Sequence, residues 1–117
     1  MPEFLSVADV LAIHARAMLA TGEPPAPLRD AGRLERAVRR PRLAAYYERA
    51  DVIRQAALLA AGLVQAHAFL DGNKRCAYVA ADTHLRLHGL CYGGDPLALA
   101  ELLLDWTSPA ASPLPRR

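Results

Sequence analysis

The residues best equipped for chemistry stand in one short stretch, His67-Ala68-Phe69-Leu70-Asp71-Gly72-Asn73-Lys74-Arg75. It supplies an imidazole, a carboxylate, a glycine, a carboxamide and two cations. One apolar helical pattern ends just before it and another begins just after. The start of a helix leaves about four backbone N–H groups unpaired and carries roughly half a positive charge, so a phosphate is favoured there. Gly72 permits close approach of the backbone to a ligand. Lys74 and Arg75 fall in the first turn of the second helix, where cations oppose the macrodipole. An anion between them accounts for that placement, with Arg75 as a fork and Lys74 as a point charge. Asp71 would repel phosphate unless a metal stood between, and Mg²⁺ is held by one or two carboxylates together with phosphates and water. The stretch therefore implies a Mg²⁺–nucleotide site, with Gly72, Asn73, Lys74 and Arg75 around the phosphates and His67 as general base toward a hydroxyl.

Helices must carry this stretch. Ser6-Val7-Ala8-Asp9 opens one that runs to about Ala20 through a variant capping box. Val7, Val10, Leu11, His14 and Met18 share its stripe, so His14 is expected to be a hydrogen-bonded core histidine, with a role in the site as the alternative. Thr21-Gly22 ends that helix, and Pro24, Pro25 and Pro27 keep the next stretch extended. From Arg29 to Arg42, both included, there are six arginines. If the segment is helical, Arg29, Arg33, Arg36 and Arg40 share a face. That face is either solvated and partly neutralised by Asp30 and Glu35, or a docking surface for an acidic partner or target, or a nucleic-acid contact. Tyr46 and Tyr47 belong to a flap or to the core.

Asp51 caps a helix to about Ala66, apolar nearly all round and therefore central. Leu58, Leu59, Leu63 and Val64 are its core candidates, while Ala56, Ala57, Ala60, Ala61 and Gly62 allow close helix approach. Phe69 is expected to plug the loop into the core. The helix from about Asn73 to His88 has Gly89 as its C′ residue and Cys76, Val79, Ala80, Thr83 and Leu87 as its inner face. His84 and His88, four apart, could hold a metal, but lacking a third ligand they read as two surface histidines favoured by the helix C-terminus. Gly93-Gly94-Asp95-Pro96 opens a last helix to about Trp106, and residues 107–117 are expected to be a disordered tail.

The stretch at 67–75 resembles the signature of the Fic/Doc superfamily, His-x-Phe-x-[Asp/Glu]-[Gly/Ala]-Asn-[Gly/Lys]-Arg. It matches at His67, Phe69, Asp71, Gly72, Asn73, Lys74 and Arg75. Leu28 to Ala37 with Arg40-Pro41, and the leading helix with Ile13-His14, resemble the death-on-curing (Doc) branch, so the likeness spans residues 5 to 105. It implies an all-α, single-domain, Fic-like bundle of five to six helices over residues 1–106. AMP-transferring members usually carry Gly at the position of Lys74 and a second Arg at that of Tyr78. The Doc version that this chain resembles implies transfer of the γ-phosphate of ATP to a Ser or Thr hydroxyl of a target protein. In that reading His67 is the base, Asp71 holds Mg²⁺, Phe69 anchors the motif, and Arg33, Arg36 and Arg40 serve target docking near the flap. The resemblance further implies the toxin half of a bacterial toxin–antitoxin pair that disables translation, with elongation factor Tu as target. No Ser/Thr-x-x-x-Glu-Gly/Asn inhibitory string is present, which implies a separate antitoxin protein. The alternatives are protein adenylylation and a non-catalytic nucleotide-binding or interaction module.

Composition fits this expectation. At 117 residues the chain suffices for one core. It is 53% hydrophobic and 22% charged, without an apolar run of the ~20 residues that a membrane span needs. A formal charge of +2 is too small to imply nucleic acid by itself. Cys76 and Cys91 form neither metal spacing nor a disulfide pattern, so a reducing bacterial cytoplasm is the expected location.

Overall fold

The computed structural model describes residues 4–90, which form four helices: α1 (Val7–Leu19), α2 (Ala31–Glu48), α3 (Val52–Ala66) and α4 (Asn73–Leu87). The architecture is all-α, with fewer helices among the described residues than the five to six expected. The helix predicted at 95–106 and the tail from 107 lie outside the described residues. No described helix is long and apolar enough to cross a membrane.

Three helix starts follow directly from local sequence. Ser6 and Asp9 form a reciprocal capping box, Asp9 N–H to Ser6 Oγ at 3.1 Å and Ser6 N–H to Asp9 Oδ2 at 2.8 Å. Asp30 and Asp51 cap α2 and α3 by accepting from the N–H of Arg33 at 3.0 Å and of Arg54 at 2.8 Å. At the end of α4, Gly89 adopts φ +78°, its N–H bonds Arg86 O at 3.0 Å, and Leu90 N–H bonds Leu85 O at 2.9 Å. These two bonds make a Schellman stop.

α2 passes through Pro41 without ending. A proline inside a helix removes one hydrogen bond and costs about 3 kcal/mol. Here its ring is buried in line with Leu34, Ala37, Val38 and Ala44, on the face that packs against α3. Tyr46 and Tyr47, one turn further on, are exposed and form an edge-to-face pair with ring centres 4.7 Å apart, so they are not core residues.

α3 lies centrally, between α2 and α4, and α1 packs on α4. Ala56, Ala57, Ala60, Ala61 and Gly62 are buried and let both neighbours approach, while Leu58, Leu59 and Leu63 fill the remaining space. Val64 is only half-buried. The expected inner face of α4 is corrected. Val79 and Leu87 are exposed, and the buried set is Cys76, Ala77, Tyr78, Ala80, Ala81, His84 and Leu85. α4 touches α1 on one side and α3 on the other, so small alanines line two contacts and the larger Val79 and Leu87 are left outside.

His84 is likewise no surface histidine: it is 1% exposed. Its Nε2–H donates to Gln55 Oε1 at 2.9 Å, and Gln55 Nε2–H donates to Ala50 O at 2.8 Å. This relay explains the polar Gln55 on an otherwise apolar helix. Burial, and secondarily the neighbouring His88 imidazole, push the His84 pKa down from 6.5 to about 4. Between these values the unfolded chain binds a proton that the folded chain refuses, so stability is full above pH 6.5 and falls as pH drops toward 4. The loss should reach about 3 kcal/mol. Urea midpoints measured across that window should fall in the wild type and stay flatter in His84→Met. Cys76 is also buried, and burial pushes its thiol up to about 12, making it an inert packing residue.

Candidate active site

The α3–α4 connection is fastened on three sides. On the first, the proline-containing segment pairs with it as a short antiparallel bridge between Leu28 and Phe69. Leu70 N–H bonds Pro27 O at 3.1 Å, and Asp30 N–H bonds Ala68 O at 3.1 Å. The residue that caps α2 therefore also ties α2 to the loop.

The second fastening comes from α1. The His14 ring lies flat on Phe69, with centroids 3.6 Å apart and planes 6° from parallel. Its Nε2 is 2.8 Å from Asp71 O, and since a carbonyl only accepts, that nitrogen carries the proton. His14 is 2% exposed and Phe69 3%. Gly72 then turns under this ring with φ +80°. A Cβ there would stand 2.5 Å from Met18 Sδ and 3.1 Å from His14 Nε2. The glycine thus makes room for α1, a reason distinct from the ligand approach expected of it.

The third fastening is Asn73. Its Oδ1 accepts from Phe69 N–H at 3.0 Å and its Nδ2–H donates to Phe69 O at 2.8 Å. The carboxamide closes the loop on itself, so toward a phosphate Asn73 has its main-chain N–H to offer.

This rigid loop borders a cleft of about 370 Å³ lined by Val64, His67, Leu70, Asp71, Gly72, Asn73, Lys74 and Arg75. His67 ends α3 in the left-handed conformation, φ 47° and ψ 44°, with its side chain exposed. A non-glycine residue there carries strain of roughly 1–2 kcal/mol. Asp71 commits Oδ1 to the N–H of Gly72 at 2.8 Å. Gly72 precedes α4 and offers no side-chain cap, leaving the first-turn N–H groups of this helix without the side-chain partner that the other three have. Arg75 is held from behind, Nη1–H donating to Thr21 Oγ1 at 3.1 Å, beside the C-terminal end of α1. Lys74 is exposed and makes no ion pair among the described residues.

The cleft thus collects an exposed imidazole, one carboxylate, an uncapped helix start and two cations. A lone carboxylate beside a phosphate site fits Mg²⁺ arriving with a nucleotide. It does not fit a resident metal held by protein alone, and no cluster of three or more His, Cys, Asp or Glu occurs among the described residues. Arg33, Arg36 and Arg40 line a different cleft, against Gly62, Gln65 and Ala66, and are not brought into this one. The parts that sequence reasoning missed are Met18, Thr21, Pro27 and the bond from His14 to Asp71. His14 alone gave a signal, as a polar residue within an apolar stripe.

Compared with known proteins, residues 4–85 match the Fic/DOC family. Over 99 residues the chain is 38% identical to the protein named Toxin Doc of Mycolicibacterium smegmatis (strain ATCC 700084 / mc(2)155), an alignment covering 81% of this chain and 72% of that protein.

Proposed function

The chain belongs to the Fic/DOC family, and from that membership we propose that it transfers the γ-phosphate of ATP to a Ser or Thr hydroxyl of a target protein. The observation that carries this reading is the convergence of His67 with the uncapped start of α4, Lys74 and Arg75 on one cleft. The N–H groups of Asn73, Lys74 and Arg75 bind phosphate oxygens, and the two side chains offset the charge that develops on them. His67 takes the proton of the attacking hydroxyl as its oxygen bonds the γ-phosphorus and ADP leaves. Asp71, with the phosphates and water, would hold Mg²⁺, which when bound neutralises phosphate charge. The fastened loop fixes these groups before substrate arrives, and such positioning is the main source of rate in phosphoryl transfer.

Lys74, and Tyr78 as a buried ring one turn later, favour phosphate transfer over AMP transfer. The similarity to a protein named Toxin Doc extends the proposal to a toxin paired with a separate antitoxin, and we propose elongation factor Tu as its target and growth arrest as the outcome. Parallel labelling of a bacterial extract with ATP carrying label at the γ or the α position tests the reaction. Label from γ-ATP alone is expected. Label from α-ATP would replace the proposal by adenylylation, and no label with ATP still bound would leave a binding module.

A further inference from the structure

α2 and α3 enclose a second concave surface whose charge the nucleotide site does not use. The helices approach so closely at Gly62 that a Cβ there would stand 3.4 Å from Ala37 Cβ. Beside this contact a cleft of about 290 Å³ opens, lined by Arg33, Arg36, Ala37, Arg40, Gln65 and Ala66 with Gly62. Spacings of three and four residues place the three guanidinium groups on one side of α2.

Only Arg33 of the three has a carboxylate partner among the described residues. Glu35 lines a separate cleft on another side of α2, with Leu5, Val38 and Arg39. Asp30 caps the helix and pairs with Arg33 at 3.4 Å. Among the described residues, Arg36 and Arg40 form no ion pair. Like charges at this spacing each destabilise a helix by roughly 0.2–0.5 kcal/mol. An anion in the cleft would offset the charge of Arg36 and Arg40.

Position gives the cleft a purpose. Gln65 and Ala66 line it, while Val64 and His67 line the active-site cleft, so the two share the last turn of α3. Arg33 fastens α2 to that turn, its Nη1–H donating to Ala66 O at 3.4 Å. We propose that the α2–α3 cleft docks an acidic segment of the protein substrate, which brings a hydroxyl a few residues away over His67. Carboxylates fit the guanidinium forks of Arg36 and Arg40, and the Gln65 amide can pair with a peptide backbone. Nucleic acid fits less well: no aromatic residue lines the cleft for base stacking, and the net charge is only +2. That the docked chain is a substrate rests on the proposed transfer reaction, whereas docking itself requires neither ATP nor His67.

The probe is fluorescein-labelled hexaglutamate, titrated with the full chain at low salt and read by anisotropy. Arg36→Glu/Arg40→Glu should weaken binding at least roughly tenfold, while Arg16→Glu/Arg39→Glu, with the same charge change outside the cleft, should stay within about twofold. Equal losses in both variants, or no binding by the wild type, would overturn the proposal. Binding of a single-stranded oligonucleotide in preference to hexaglutamate would overturn it too, in favour of a nucleic-acid surface. With a labelled target, the cleft variant should raise KM for the target and leave kcat unchanged; a fall in kcat alone contradicts docking. The anisotropy assay contains no nucleotide or target, so failure of the transfer reading leaves its result intact.

Discussion

His67→Ala is expected to lower transfer to protein by roughly 10²–10⁴-fold, the usual contribution of a positioned general base. The fold should survive this change, because the side chain is exposed and no hydrogen bond to it occurs among the described residues. Backbone geometry permits a sharper version. At φ 47° glycine is the unstrained residue, so His67→Gly should melt no lower than the wild type while being just as inactive. An imidazole kept where glycine is easier points to chemistry. Single-turnover rates beside thermal melts check both variants, and a substantial fall in melting temperature for His67→Gly would instead make His67 a structural residue.

Gly72→Ala should have the largest effect on stability. The new methyl group demands the left-handed backbone, costing about 1–2 kcal/mol, and meets Met18 Sδ at 2.5 Å and His14 Nε2 at 3.1 Å. The His14 ring cannot give way, since it lies on Phe69 and bonds Asp71 O. Overpacking adds roughly 1–3 kcal/mol, so the total loss of about 2–5 kcal/mol is a large share of the stability of a small domain. The Fic/Doc pattern admits alanine at this position, and the cost here is assigned to Met18. In a double-mutant cycle Met18→Ala should therefore recover part of the loss, with a coupling of about 1–3 kcal/mol in urea denaturation. Strict additivity would show that the glycine answers only to its own backbone.

Helices α1, α3 and α4 were legible in the chain because their ends depend on nearby residues, whereas the 29–42 segment was read as helical only conditionally. Ser6 with Asp9, Asp51 and Gly89 act at short range, while Asp30, expected only to offset arginine charge, proves to be the cap of α2. The residue types of the 67–75 stretch were legible for the same reason. What escaped depends on partners far apart in sequence. His14 and Asp71 are 57 residues apart, as are Met18 and Arg75, whose Nη1 lies 3.9 Å from the Met18 sulfur, and His84 meets Gln55 across 29. Periodicity located His14 in a buried stripe but could not say that its ring would hold the α3–α4 loop. On α4 the larger apolar residues drew attention, yet the two-sided contact is made by alanines, which carry little hydrophobic signal. Arg33, Arg36 and Arg40 were legible as one face. Only packing reveals that this face borders a cleft and that Glu35 turns away from it.

The most direct test takes purified elongation factor Tu, Mg²⁺ and γ-labelled ATP with the wild-type chain, His67→Ala and Arg75→Ala side by side. Covalent label on a Ser or Thr with the wild type, lost with His67→Ala and strongly reduced with Arg75→Ala, is the predicted result. Equal labelling by wild type and His67→Ala would contradict the assignment of the base, and with it the claim that this cleft carries out the transfer.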